Sequence, residues 1–112
     1  MLAFVDYQYI APSNAITVTP KLPTAWNYLG SRIPIKNGNL YIKVTKGTNQ
    51  RLVDLDNNST NALSVEIYIQ TDKAPTSVTG TTLSWSYSNQ TGRVKLYGTL
   101  NANTASDITI NY

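Results

Sequence analysis

The sequence contains no cysteine and no histidine. The first absence excludes disulfides and any thiolate metal site. The second removes the commonest general base, and the two together exclude Cys–His and Ser–His catalytic arrangements. Charge is scarce as well, at 13% of residues. Nine Lys and Arg against six Asp and Glu leave a formal net charge of +3. The basic residues are scattered, with no run of neighbours, so a nucleic-acid footprint is not evident. No apolar stretch approaches the roughly 20 residues of a membrane span, and no amphipathic helix or internal repeat is found.

The chain opens MLAFVDYQYI. This start has no positively charged leader segment, and Asp6 interrupts the apolar run before it reaches signal-peptide length. The expectation is a protein made in a cytoplasm without passage through a secretion pore. Asn57, Asn58 and Asn89 each begin an N-x-[ST] triplet, which without a secretion signal reads as an accident of an Asn- and Thr-rich composition.

What is present points to one β domain spanning residues 1–112. A chain of 112 residues with 41% hydrophobic content can bury about two-thirds of its unfolded surface, and intrinsic disorder would need far fewer aliphatics and aromatics. The clearest stretch is ALSVEIYIQ, residues 62–70. Leu63, Val65, Ile67 and Ile69 fall on one side of an extended backbone, and Ser64, Glu66, Tyr68 and Gln70 on the other. Period-two alternation built on β-branched residues marks a strand with one face in a core and one in water. Similar stretches cover residues 2–10, 15–19, 32–35, 40–45, 51–55, 81–88, 93–100 and 107–112. An Asn37-Gly38 pair suits a type I′ hairpin turn. Residues 56–61 and 101–106 read as loops, and residues 71–80 as a longer connection crossing between sheets. Residues 20–31 read as an irregular segment in which Thr24 caps a helical turn ending at Gly30. Gly98 marks a bulge or a close approach. Strands recurring every 8–12 residues imply an antiparallel β-sandwich of eight to nine short strands, jelly-roll-like in one variant.

Several side chains are candidates for chemistry. The acids Asp6, Asp54, Asp56, Glu66, Asp72 and Asp107 offer pairs for glycoside hydrolysis in principle, but turn formation and solvation are the ordinary roles of such residues. Asp54, Asp56 and Asn58 start like a calcium loop. The EF-hand pattern then fails at Ser59 and Val65, where it needs Gly and Glu, leaving a weaker metal candidate against an Asx-rich turn. Tyr41, Lys43, Arg93, Lys95 and Tyr97 are read as one outward surface where aromatic and basic side chains interleave, a pattern that stacks sugars or bases. Trp26 and Tyr28 form a second platform. The ordinary alternative for both is cross-strand pairing and solubility. No cofactor is expected.

A cytoplasmic start combined with a Cys-free surface rich in Thr, Asn and Ser is the feature that carries a resemblance. In composition the whole chain resembles small bacteriophage structural proteins: capsid-decoration or head-fibre modules and the head domains of tail receptor-binding proteins. The resemblance implies a non-enzymatic component located in the virion. It would act by self-association, a trimer for example, and by docking on other virion proteins, with neither membrane nor nucleic acid as partner. Residues 2–10 and 107–112, the terminal strands, are expected to pair between subunits. The alternative is a carbohydrate- or host-receptor-binding sandwich using Trp26, Tyr28, Tyr41 or Tyr97. A minor alternative is an OB-like single-strand binder, which the strand count and the missing helix oppose.

Overall fold

Alternation of aliphatic and polar residues builds ten strands in the computed structural model, which describes residues 5–21, 27–71, 73–81 and 83–112. They are β1 (Val5–Ile10), β2 (Ala15–Pro20), β3 (Tyr28–Ile35), β4 (Gly38–Gly47), β5 (Gln50–Ser59), β6 (Leu63–Gln70), β7 (Ser77–Thr79), β8 (Ser84–Ser88), β9 (Arg93–Leu100) and β10 (Thr104–Asn111). The first sheet runs β1-β2-β6-β9-β8 and the second β3-β4-β5-β10-β7. The expected sandwich is therefore found, with one or two strands more than the sequence indicated. Every pairing is antiparallel except β2 with β6. This order does not by itself establish a jelly roll.

One core lies between the sheets, and among the described residues every buried hydrophobe in it is Ile, Leu or Val. Leu63, Val65, Ile67 and Ile69 of β6 meet Leu40, Ile42 and Val44 of β4, Val53 and Leu55 of β5, and Ile108 and Ile110 of β10 within that cluster. Burying each such side chain stabilises the fold by about 1.5–3 kcal/mol before entropy is counted. Gly98 allows a close approach, as expected. A Cβ there would lie 3.1 Å from Leu83 Cδ2, and Leu83 is buried in the core.

Four local expectations are corrected. Residues 56–59 are not a loop but the end of β5. Asn57 and Ser59 continue the inward face there as polar members of the interior. Tyr28, Leu29 and Gly30 lie in β3 opposite Thr45, Val44 and Lys43, so no helical turn ends at Gly30; Thr24 lies outside the described residues. The β3–β4 turn is centred on Lys36-Asn37, because Ile35 already pairs with Gly38. Of those two residues only Asn37 has positive φ, at 64°, so the turn is not type I′, which needs positive φ at both central positions. Finally, β10 is not a free terminal strand, since it is held between β5 and β7. The connection after β6 does cross between sheets, carrying the three-residue β7 with it.

Amides close one end of the sandwich. Asn57 is fully buried, and its Nδ2 donates to the carbonyls of Asn61, Leu100 and Asn101 at 3.0–3.1 Å. Ser59 Oγ donates to Asn57 Oδ1 at 2.5 Å. Nearby, Tyr9 Oη accepts the Lys36 backbone N–H at 3.0 Å and donates to Asn14 Oδ1 at 2.6 Å. Asn14, in the left-handed region at φ 48°, in turn donates to the Ala62 carbonyl at 2.6 Å. These bonds tie the β1–β2 turn, the β3–β4 turn and the β5–β6 connection together. Asn57→Ala removes the buried amide that donates to the Leu100 and Asn101 carbonyls, while Ser59 Oγ still reaches the Asn61 carbonyl at 3.0 Å. Urea unfolding should therefore show a loss of about 3 kcal/mol. A loss below about 0.5 kcal/mol would contradict this role, since that is the size of an ordinary surface change.

Candidate functional site

The outer face of the second sheet carries the densest chemistry. Cross-strand register sets Arg32, Tyr41, Asp56 and Ala105 in one row, and Gly30, Lys43, Asp54 and Asp107 in the next. Gly30 has no side chain, and Tyr41 lies over it: a Cβ at residue 30 would sit 3.0 Å from Tyr41 Oη. Arg32 stands over the Tyr41 ring at 5.4 Å, and Lys43 Nζ over the Tyr28 ring at 5.0 Å. Tyr28 keeps 61% of its surface exposed. One half of this face is thus aromatic and cationic, and the other half acidic. In the acidic half, partial burial raises the Asp54 carboxyl above its ordinary 3.8. A hydrogen bond and the charge of Asp107 opposite push the same way, and Lys43 opposes them. With its side-chain amide turned to satisfy both groups, Asn58 nitrogen donates to the two Asp56 carboxylate oxygens at 3.1 and 3.2 Å.

Arg93, Lys95 and Tyr97 lie on β9, and their side chains face outward from the first sheet. Lys95 Nζ stands 5.1 Å from the Tyr97 ring centre and 3.7 Å from a Glu66 oxygen. A small depression of about 130 Å³ beside them is lined by Tyr68, Ser86, Tyr87, Arg93 and Lys95. The single surface expected from Tyr41, Lys43, Arg93, Lys95 and Tyr97 is therefore two surfaces on opposite sides of the sandwich. Alternation shows which residues face outward but not which sheet they face outward from. Trp26 lies outside the described residues, so the Trp26–Tyr28 platform is represented by Tyr28 alone.

Asp54, Asp56 and Asn58 project from one face of β5, neither in a calcium loop nor in an Asx turn. Alternate residues on a strand stand about 7 Å apart. Among the described residues no group of three His, Cys, Asp or Glu is placed to hold a metal ion. The paired acids Asp54 and Asp107 sit side by side on an open sheet face. Of the Asn triplets, Asn57 is buried and Asn89 exposed in a turn.

Features the sequence reading passed over lie at the sheet edges. Both edge strands of the first sheet carry aromatics on their core side that stay partly in water. Tyr7 of β1 is opposite the buried Val18 yet 50% exposed, and Trp85 of β8 is opposite the buried Leu96 yet 39% exposed. The second sheet's edges differ: β3 carries Arg32 and Pro34, and β7 is only three residues long. Beyond β7 a groove of about 520 Å³ runs beside β10, lined by Thr81, Thr99, Asn101, Thr104 and Ser106 among others. The signal for Trp85 and Tyr7 was present, as aromatics on strands with a free side, but edge status depends on sheet order and is invisible locally.

Comparison with protein-family models, curated proteins and solved structures returned no match.

The raised Asp54 carboxyl has a pH consequence. A carboxyl whose folded value lies above its ordinary 3.8 favours the fold while protonated. That contribution is present below the ordinary value and fades as pH climbs through the raised one. Asp54→Asn keeps the uncharged form at every pH. It should raise the urea midpoint relative to the wild type at pH 7 and leave it unchanged at pH 3. A lower midpoint at pH 7 would contradict the assignment.

Proposed function

We propose that this chain is a non-enzymatic virion structural protein, a capsid-decoration or tail-fibre component, that works by self-association and by docking on a larger assembly. The observation that carries the association half is the contrast between the two sheets' edges. Proteins that stay monomeric blunt their edge strands with proline, charge or shortness. The second sheet has all three devices, in Pro34, Arg32 and the three-residue β7. In the first sheet β8 reads Ser-Trp-Ser-Tyr-Ser, with no charge and no proline. β1 has Asp6 alone, which pairs with Lys21 at 2.6 Å in solvent. Exposed Tyr7, Ile10 and Trp85 add apolar surface along those edges. The virion half rests on composition: a cysteine-free sequence rich in Thr, Asn and Ser. With β10 held inside the second sheet, the association surface keeps the first terminal strand, β1, and takes β8 in place of the last.

A second reading, a glycan- or receptor-binding module, draws support from the exposed Tyr28 ring next to Lys43 and one row from Asp54 and Asp107. A ring offers stacking to the apolar face of a sugar, and carboxylates accept from its hydroxyls.

Light scattering over a range of concentrations separates a self-associating protein from a solitary one. The expected mass rises above that of the 12.3 kDa chain, and a strict monomer at every concentration overturns the leading reading. For the second reading, binding on a glycan array should be lost on Tyr28→Ala, and silence across a broad array removes it.

A further inference from the structure

We infer that β8 is a self-complementary pairing edge, and that two copies of this chain join through it about a two-fold axis passing beside Ser86. This rests on the self-association reading above and names its surface and partner. The five residues of β8, Ser84-Trp85-Ser86-Tyr87-Ser88, read nearly the same in both directions. When such a strand meets a second copy antiparallel and in register about its middle residue, Ser84 stands opposite Ser88 and Ser86 opposite Ser86. Trp85 then stands opposite Tyr87 of the second copy, twice. Aromatic pairs directly across an antiparallel ladder are among the more favourable cross-strand combinations, and a two-fold interface requires this kind of self-complementarity.

Four observations favour a second copy over another occupant. Among the described residues β8 pairs only with β9, so its other side presents a row of backbone donors and acceptors with no strand on it. No charge stands on it to be buried or repelled. Trp85 and Tyr87 both lie on the core side, opposite Leu96 and Val94. Trp85 is 39% exposed and Tyr87 half-buried, so each has surface left to cover. The serines lie on the outer side, where Ser86 faces Lys95. The joined first sheets would form one continuous ten-stranded sheet. β1 lies at the far edge of each copy, free for a different contact. The proposed pair has symmetry of order two, against the trimer expected from the sequence. A five-residue ladder is short, so the dimer alone is weak and would be reinforced by docking side by side on a larger surface.

Sedimentation equilibrium with variants at residue 86 tests this. Ser86 is exposed and on the outer face opposite Lys95, so Ser86→Glu should fold like the wild type. Ser86→Lys should lose about fivefold at most in its folding equilibrium constant to the like charge of Lys95, as circular dichroism with urea unfolding would verify. In a two-fold ladder centred on this residue, each variant sets like charges face to face. Each alone should therefore dimerise about fivefold more weakly, the upper range for an opposed like pair. An equimolar mixture should recover at least wild-type affinity through Lys–Glu pairing. Trp85→Ala, which removes two aromatic pairs, should weaken the dimer further. Association that ignores the charge at residue 86, or a mixture no tighter than either variant, overturns the β8 assignment while leaving self-association standing. A wild-type protein that never associates overturns both.

Discussion

The whole structure depends on an interior whose buried hydrophobes, among the described residues, are all branched aliphatics. Sheets packed face to face lie about 10 Å apart, and among the described residues the buried hydrophobes that fill that gap are Ile, Leu and Val. These side chains come from alternate positions of almost every strand, so their burial sets register, face and inter-sheet packing together. A slip of one residue in β6 would send Leu63, Val65, Ile67 and Ile69 into water and bring Glu66 inside. The described tyrosines and Trp85, too bulky and too polar at one end for this layer, are displaced outward. Tyr28 and Tyr41 end on one face, Tyr68 and Tyr97 on the other, and Tyr7, Tyr9, Trp85 and Tyr87 at the edges. Exposed aromatic surface is thus a consequence of how the core is filled.

The ends of the sandwich need a different solution, because backbone groups there have no ladder partners. The amide-rich composition supplies it. Asn57, Ser59, Asn14 and Tyr9 satisfy carbonyls and amides from connections in both sheets. At the opposite extreme of the core, Arg51 donates to Tyr112 Oη and stands over its ring at 5.5 Å. Buried polar groups of this kind are costly unless satisfied, and no buried side-chain polar atom among the described residues lacks a partner. With the core and this amide-bonded end secured, backbone without a ladder partner is left, among the described residues, along the outer sides of the edge strands β1, β8, β3 and β7.

Much of this was readable from alternation alone. The strands built around Leu40 to Val44, Leu63 to Ile69 and Val94 to Leu96 face as their aliphatics demand, and Gly98 admits a neighbour as its lack of a side chain allows. Local chemistry misled where a polar residue belonged inside. Asp56-Asn57-Asn58-Ser59 has the composition of a turn, yet the inward network of Asn57 and Ser59 stabilises it as strand. Glycine and proline near Tyr28 likewise disguised β3, whose Gly30 serves to seat Tyr41. The candidate surface failed for a separate reason. Tyr41 and Tyr97 both point outward, but assigning them to opposite sheets needs long-range pairing that no short window encodes. Edge status, and with it the importance of Trp85, is lost in the same way.

Residue-resolved amide hydrogen exchange, measured on dilute and concentrated solutions, addresses the central claim most directly. The backbone amides of β8 are the ones whose protection should rise with concentration, while those of β3 and β7 stay unchanged. Equal exchange from Ser84 to Ser88 at both concentrations, or protection gained at β3 or β7 instead, would contradict the assignment of the first sheet's edge as the joining surface.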